Sequence, residues 1–151
     1  MDQDKQILLE QYKLYVEMAD RVTERRGKFN QYCITLISGI LGITTYLLHQ
    51  DQKELVGVHP AFIIAIASFL TSLISVLWLY QILYSKNLNS AKFQVITEME
   101  KHLPVQGFNK EWELYFLHGE KRFTHLERWI PQIILIISCI TFFFSFIVAV
   151  G

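Results

Sequence analysis

The chain has 151 residues, of which 52% are hydrophobic, and its 14 acidic and 14 basic residues leave no net formal charge. This length corresponds to about one structural domain. Residues 29–48, 55–85 and 129–150 contain no Asp, Glu, Lys or Arg. The absence of these residues argues against a proton-coupled pump or transporter, which needs ionisable groups within the membrane.

The N-terminal segment, residues 1–28, is predicted to be a cytoplasmic amphipathic helix that runs into the first apolar stretch, with Gly27 as a site for a bend. Its apolar residues recur at alternating steps of four and three, which is typical of a helix that packs along one seam. The seam residues are Leu8, Tyr12, Tyr15, Ala19, Val22 and Phe29. Arg26 interrupts the seam, and we expect it either to snorkel to lipid headgroups or to pair with a carboxylate across an interface.

Three transmembrane helices are predicted, at residues 29–48, 61–84 and 129–150, with an outer loop at 49–60. About 20 apolar residues suffice for a helix to cross a hydrocarbon core of roughly 30 Å. Backbone in lipid must satisfy its own hydrogen bonds, so each crossing should be helical. The side chains expected to anchor these helices at the membrane interfaces are Trp78, Trp129, Arg25 and Arg26.

The second span is predicted to continue into the cytoplasm, because no Gly or Pro interrupts the chain from Ala61 to Leu103. Pro104 then ends this helix. Asn109 is a candidate N-cap for a further helix. Residues 85–128 are therefore expected to form a cytoplasmic helical hairpin.

Orientation follows from the basic residues, because cytoplasmic loops are enriched in Lys and Arg. Thirteen of the 14 lie in residues 1–28 and 85–128, whereas the loop at 49–60 carries only Lys53. The N-terminus is thus expected in the cytoplasm and the C-terminus outside. The predicted fold class is an all-α integral membrane helical bundle, with three transmembrane helices extended by a cytoplasmic helical bundle into one domain of residues 1–151.

Two spans carry stripes of small and hydroxylated residues, spaced three and four apart. The first-span stripe is Thr35, Ser38, Gly42, Thr45 and His49, and the second-span stripe is Ala65, Ser68, Ser72 and Ser75. Such stripes permit close helix packing, but they are also suited to lining a water-filled passage in a ring of subunits. The first is the better candidate for a passage, because hydroxyls extend along nearly its whole length.

The sequence contains no nucleotide-binding Gly-rich loop, nucleophile elbow or paired-cysteine motif. We therefore expect that the protein is not an enzyme. We also expect no catalytic residues, no metal site, no cofactor and no nucleic-acid partner.

Two stretches carry a family resemblance. One is Tyr12–Arg21 (YKLYVEMADR), followed by Arg25-Arg26, and the other contains Asn87–Ile96 (NLNSAKFQVI), followed by Leu103-Pro104. This pattern resembles the RipA-like small octameric membrane proteins of bacteria. It is also similar to the membrane accessory protein of RNA-targeting CRISPR systems and, more distantly, to the SLATT effectors. The resemblance implies a helical homo-oligomer, a ring of eight, with a link to phage defence through membrane permeabilisation.

Two functions remain open from the sequence. The first is a homo-oligomeric protein of the bacterial inner membrane that acts as a pore-forming or membrane-perturbing effector in anti-phage defence. The alternative is a non-conducting membrane scaffold or sensor that recruits a cytoplasmic partner through its helical bundle.

Overall fold

The computed structural model describes residues 3–49, 59–104, 106–117 and 124–150, and every regular element in these residues is an α-helix. The four helices are α1 Gln3–His49, α2 Pro60–Glu100, α3 Gly107–Leu117 and α4 Thr124–Val150. The predicted all-α class is confirmed. Of the predicted outer loop, residues 50–58 lie outside the described residues.

Helix α1 is a single helix of 47 residues that continues through Gly27 without a break. At 1.5 Å per residue it is roughly 70 Å long, about twice the thickness of the hydrocarbon core. Asp4 lies in its first turn, where the helix dipole favours a carboxylate. The predicted continuity of the N-terminal helix with the first span is therefore observed.

Helix α2 begins at Pro60, whose fixed φ angle and missing N–H suit the first position of a helix. His59 satisfies two of the first amides, since its Nδ1 accepts from the Ala61 N–H at 3.2 Å and its carbonyl accepts from Phe62 at 2.9 Å. The helix ends at Glu100, three residues before the predicted end at Leu103. Tight turns follow, in which each amide bonds the carbonyl three residues earlier.

Helix α4 begins at Thr124, five residues before the predicted start of the third span. Pro131, two residues after the predicted start of that span, lies inside the helix and is buried. It removes one backbone hydrogen bond there. By length and composition, α1, α2 and residues Glu127–Val150 of α4 are each suited to cross a membrane.

The chain divides into two compact units. Unit 1 comprises residues 1–27 and 82–123, and unit 2 comprises residues 28–81 and 124–151. In unit 1, α1 and α2 pack along the predicted seam from Leu8 to Val22, whose residues are all buried or half-buried. Ala19 and Ile96 are the apolar centre of this packing, at 2% and 0% exposure.

The interior of unit 2 is rich in small and hydroxylated side chains, whereas large apolar side chains cover much of its exterior. Ser68, Thr71, Ser75, Ser138 and Ser145 are all buried. The outward residues of α4, by contrast, are bulky and 59–70% exposed: Ile136, Ile137, Ile140, Phe143, Phe144 and Ile147. So large an apolar surface is not stable against water, and small residues at helix contacts are typical of membrane proteins.

Candidate functional site

The first-span stripe lies on the surface of the chain. Thr35, Ser38, Gly42, Thr45 and His49 are all exposed. The same helix turns Cys33 and Ile37 inward, at 3% and 8% exposure. An added Cβ at Gly42 would meet nothing within 4 Å. Among the residues that the structure describes, therefore, the most polar face of α1 in unit 2 lies at the surface of the chain.

Two threonine hydroxyls of this helix bond its own backbone in the span. Thr45 donates to the Leu41 carbonyl at 2.8 Å, and Thr44 donates to the Ile40 carbonyl at 2.7 Å. Such bonds to the carbonyl four residues back allow a hydroxyl to face a dry surface at little cost. The acceptor capacity of each hydroxyl oxygen remains for water or for a neighbouring helix.

The second-span stripe has the opposite placement. Ala65, Ser68 and Ser75 are buried, and Ser72 is half-buried. Ser72 Oγ lies 2.9 Å from Ser138 Oγ, so the stripe contacts α4 through a hydroxyl pair. In the structure this stripe is a packing surface within one chain.

Apolar contacts continue the packing of α2 and α4. The rings of Phe69 and Phe142 lie 5.8 Å apart, at a tilted angle. Beside them is an apolar groove of about 320 Å³, lined by Phe62, Ala65, Ile66, Phe69, Phe142 and Phe146. No polar atom lines the groove, so it is suited to hydrocarbon rather than to water.

Helices α1 and α2 are joined in unit 2 by a hydrogen bond that the sequence analysis missed. The indole N–H of Trp78 donates to Asn30 Oδ1 at 2.7 Å. Trp78, predicted to be an interface anchor, is only 2% exposed, so its described contact is internal. Trp129, the other aromatic anchor, is 60% exposed. Of the two basic anchors, Arg25 is exposed and Arg26 is half-buried.

In unit 1 the polar residue of greatest burial is Glu100, which is 0% exposed. Its Oε1 accepts from the Tyr12 hydroxyl at 2.9 Å and from the Phe108 N–H at 2.8 Å. Burial, together with the hydrogen bond and charge of Glu100, raises the pKa of Tyr12 to about 12. Tyr12 lies on the predicted seam, whereas no sequence pattern predicts a role for Glu100.

The N-cap prediction for Asn109 is wrong. Helix α3 begins at Gly107, so Asn109 lies inside its first turn. The Phe108 amide is satisfied by the carboxylate of Glu100, which comes from the end of the preceding helix. A sequence signal was present, because a Glu in the last turn of a helix opposes the helix dipole and needs a compensating partner.

No group of three or more His, Cys, Asp or Glu side chains within the described part of the chain is placed to hold a metal ion. The chemistry that the described residues offer is therefore hydrogen bonding and packing: an exposed polar face on α1, a buried one on α2, and a buried carboxylate between helices.

Comparison with known proteins gives one match. The sequence model of the octameric membrane protein family (8xMP) matches residues 9–147. No curated protein and no solved structure matches the chain. The match covers most of the chain, including all three apolar stretches, and it agrees with the expected octameric relatives. The protein is therefore a multi-pass, homo-oligomeric membrane protein and belongs to the octameric membrane protein family.

Proposed function

We propose that this protein is a pore-forming or membrane-perturbing effector of the bacterial inner membrane, linked to anti-phage defence. In this proposal, eight copies assemble so that the first-span stripe, Thr35, Ser38, Gly42, Thr45 and His49, lines a central passage. The N-terminus and the 85–128 hairpin are cytoplasmic, and the C-terminus faces out. The defence role rests on the resemblance to RipA-like proteins and to the CRISPR membrane accessory protein.

The observation that carries the proposal is the exposure of the first-span stripe. In a family of octamers, each chain must offer surfaces to its neighbours or to a lumen. The α4 surface is bulky and apolar, which suits lipid, and the α2 stripe is already buried. The exposed hydroxyls of α1 are the surface of unit 2 whose chemistry suits water.

Hydropathy also favours α1, rather than α2 or α4, as the span that faces a polar lumen. The most apolar window has a mean hydropathy of 1.5 in α1, against 2.4 in α2 and 2.9 in α4. A helix that faces a polar lumen tolerates the lower value better than one surrounded by lipid. On this basis α1 is the inner helix of the proposed ring.

A second candidate function, the non-conducting scaffold that recruits a cytoplasmic partner, is favoured by a different observation. The hydroxyls of Thr44 and Thr45 bond their own backbone carbonyls, so they do not require water. Gly39 and Gly42, which have open space around them, would allow a neighbouring helix to approach closely. In this reading the stripe is a dry contact between subunits.

The test is dye release from liposomes that contain the purified protein, with the oligomer mass measured in mild detergent. In one variant, Thr35, Ser38 and Thr45 are all replaced by Leu. The matched control is Thr141→Leu on α4, where the hydroxyl makes the same kind of bond, to the Ile137 carbonyl at 2.9 Å. The pore proposal expects the triple variant to assemble but not to release dye, and the control to behave as wild type.

Two results would count against the pore. If the triple variant fails to assemble while Thr141→Leu assembles normally, the stripe is a packing surface and the scaffold reading is favoured. If wild-type protein never releases dye or conducts ions under any trigger, the effector proposal fails.

A further inference from the structure

The buried carboxylate of Glu100 connects three helices of unit 1. Glu100 is the last residue of α2, and its Oε1 accepts from the Tyr12 hydroxyl on α1 and from the Phe108 N–H in the first turn of α3. Hydrogen bonds to an ionised acceptor are about twice as strong as those between neutral groups. A single side chain thus holds the start of α3 against both long helices.

The dipoles of α2 and α3 act in opposite directions on the charge of Glu100. As the final residue of α2, Glu100 adds negative charge where the helix dipole is already negative, which is unfavourable. The same carboxylate lies at the positive end of α3, where a negative charge is favourable. The charge of Glu100 is therefore better stabilised while α3 stays docked, so it links the end of α2 to the position of α3.

Helix α3 is short, and most of its described side chains are exposed. It has 11 residues, fewer than an isolated helix needs for stability in water. Among its described side chains Lys110, Glu111, Glu113 and Leu114 are exposed, and Phe108 is half-buried. The Phe108 ring contacts Phe93 of α2, with a distance of 5.7 Å between the ring centroids.

We propose that Glu100 is a latch that holds α3 closed against α1 and α2, and that α3 opens as a separate unit when the latch is broken. We expect the two long helices to stay paired in the open state, because their seam buries Ala19 and Ile96 almost completely. This gives the cytoplasmic unit a built-in conformational switch, which does not depend on whether the membrane part conducts.

The experiment is hydrogen exchange of the full-length oligomer in mild detergent, followed by mass spectrometry of peptides from 107–117 and from the seam. Glu100→Gln keeps the shape of the side chain but removes its charge. We expect exchange in 107–117 to become about tenfold faster, the loss expected for one hydrogen bond to a charged group. Exchange in the α1 and α2 seam should change by less than about twofold, within the usual effect of a peripheral change.

The matched control is Glu98→Gln, the same chemical change one half-turn away. Glu98 is exposed and bonds Lys101 at 2.7 Å, and this bond is the main cause of its lowered pKa. The Glu98→Gln variant should leave hydrogen exchange in 107–117 unchanged. Tyr12→Phe removes only the α1 arm of the latch, so we expect a smaller acceleration, again confined to 107–117.

Two outcomes overturn the latch. If Glu100→Gln accelerates exchange equally in 107–117 and in the seam, Glu100 is an ordinary core residue of one cooperative unit. If neither Glu100→Gln nor Tyr12→Phe changes exchange in 107–117, the carboxylate does not hold α3. Dye release is measured on the same preparations, so a failure of the proposed pore is read separately from a failure of the latch.

Discussion

The spans of α1 and α2 carry similar stripes of small and hydroxylated residues, but the two stripes differ in burial. Both have small and hydroxylated residues three and four apart, yet the α2 stripe is buried or half-buried in the chain, and the α1 stripe is exposed. Helix α2 pairs its stripe with α4 through Ser72 and Ser138. One stripe is therefore a contact surface within the subunit, while the other lies on the subunit surface.

The largest expected effect comes from filling each stripe in turn. Ser75 is 0% exposed, so Ser75→Leu must displace its neighbours and should lower the free energy of unfolding by about 1–3 kcal/mol. Thr45→Leu, on the exposed stripe, should change it by less than about 0.5 kcal/mol. Loss of helical circular dichroism on titration with a denaturing detergent measures both. Equal destabilisation by the two variants would contradict the distinction between the stripes.

A smaller effect is expected at the contact of α1 with α2. Trp78→Phe leaves Oδ1 of the half-buried Asn30 without its indole donor, which should cost about 1–2 kcal/mol. The same unfolding measurement applies, with Trp129→Phe as the control, because Trp129 is 60% exposed. If Trp129→Phe proves as costly as Trp78→Phe, the internal role of Trp78 is wrong.

The hydroxyl pair of Ser72 on α2 and Ser138 on α4 should contribute less to stability than the Trp78–Asn30 bond. A double-mutant cycle of Ser72→Ala with Ser138→Ala is expected to give a coupling energy of about 0.6 kcal/mol, which is typical of hydrogen bonds between membrane helices. A cycle of Ser72→Ala with Ser145→Ala, two turns further along α4, should give no coupling. Coupling of the same size in both cycles would show that the Ser72–Ser138 contact has no specific role.

The smallest effect concerns Tyr12 and appears only at high pH. Its pKa is raised from the ordinary value of 10 to about 12, so the folded protein holds this proton more tightly than the unfolded chain. Its contribution to stability is complete below pH 10 and is lost as the pH rises through 12. After solvent screening the loss should be less than about 1 kcal/mol.

The measurement for Tyr12 is the ultraviolet difference absorbance of tyrosinate between wild type and Tyr12→Phe. The difference should titrate near pH 12. A difference spectrum that titrates near pH 10 would mean that Tyr12 is not bonded to Glu100 in solution.

The sequence was sufficient for the helices, because charge-free stretches and an unbroken a/d seam are local signals. It was not sufficient for the orientation of the stripes, since which face turns inward depends on the rotation of each helix against its neighbours. Trp78 illustrates the same limit: an aromatic residue near the end of a span is typical of an interface anchor, but the nearby Asn30 supplies an internal acceptor. Glu100 was missed because its partners are 88 and 8 residues away along the chain.

The end of α2 shows the same division between local and distant signals. Pro104 correctly predicted that the helix stops, but the helix ends at Glu100, where the carboxylate can reach the Phe108 amide. That amide comes close only because the chain turns back after α2, and no local sequence pattern predicts this approach. Asn109 was therefore chosen as a cap from its residue type alone.

The most direct test of the central claim is the water accessibility of the two stripes in the assembled protein. Ser38→Cys, Ser75→Cys and Thr141→Cys are each made in a background where the free cysteines, Cys33 and Cys139, are replaced by Ala. The rate of labelling by a charged, membrane-impermeant thiol reagent is then measured in liposomes. The account predicts fast labelling at Ser38→Cys and slow labelling at both other positions, whereas Ser38→Cys as unreactive as Ser75→Cys would contradict it.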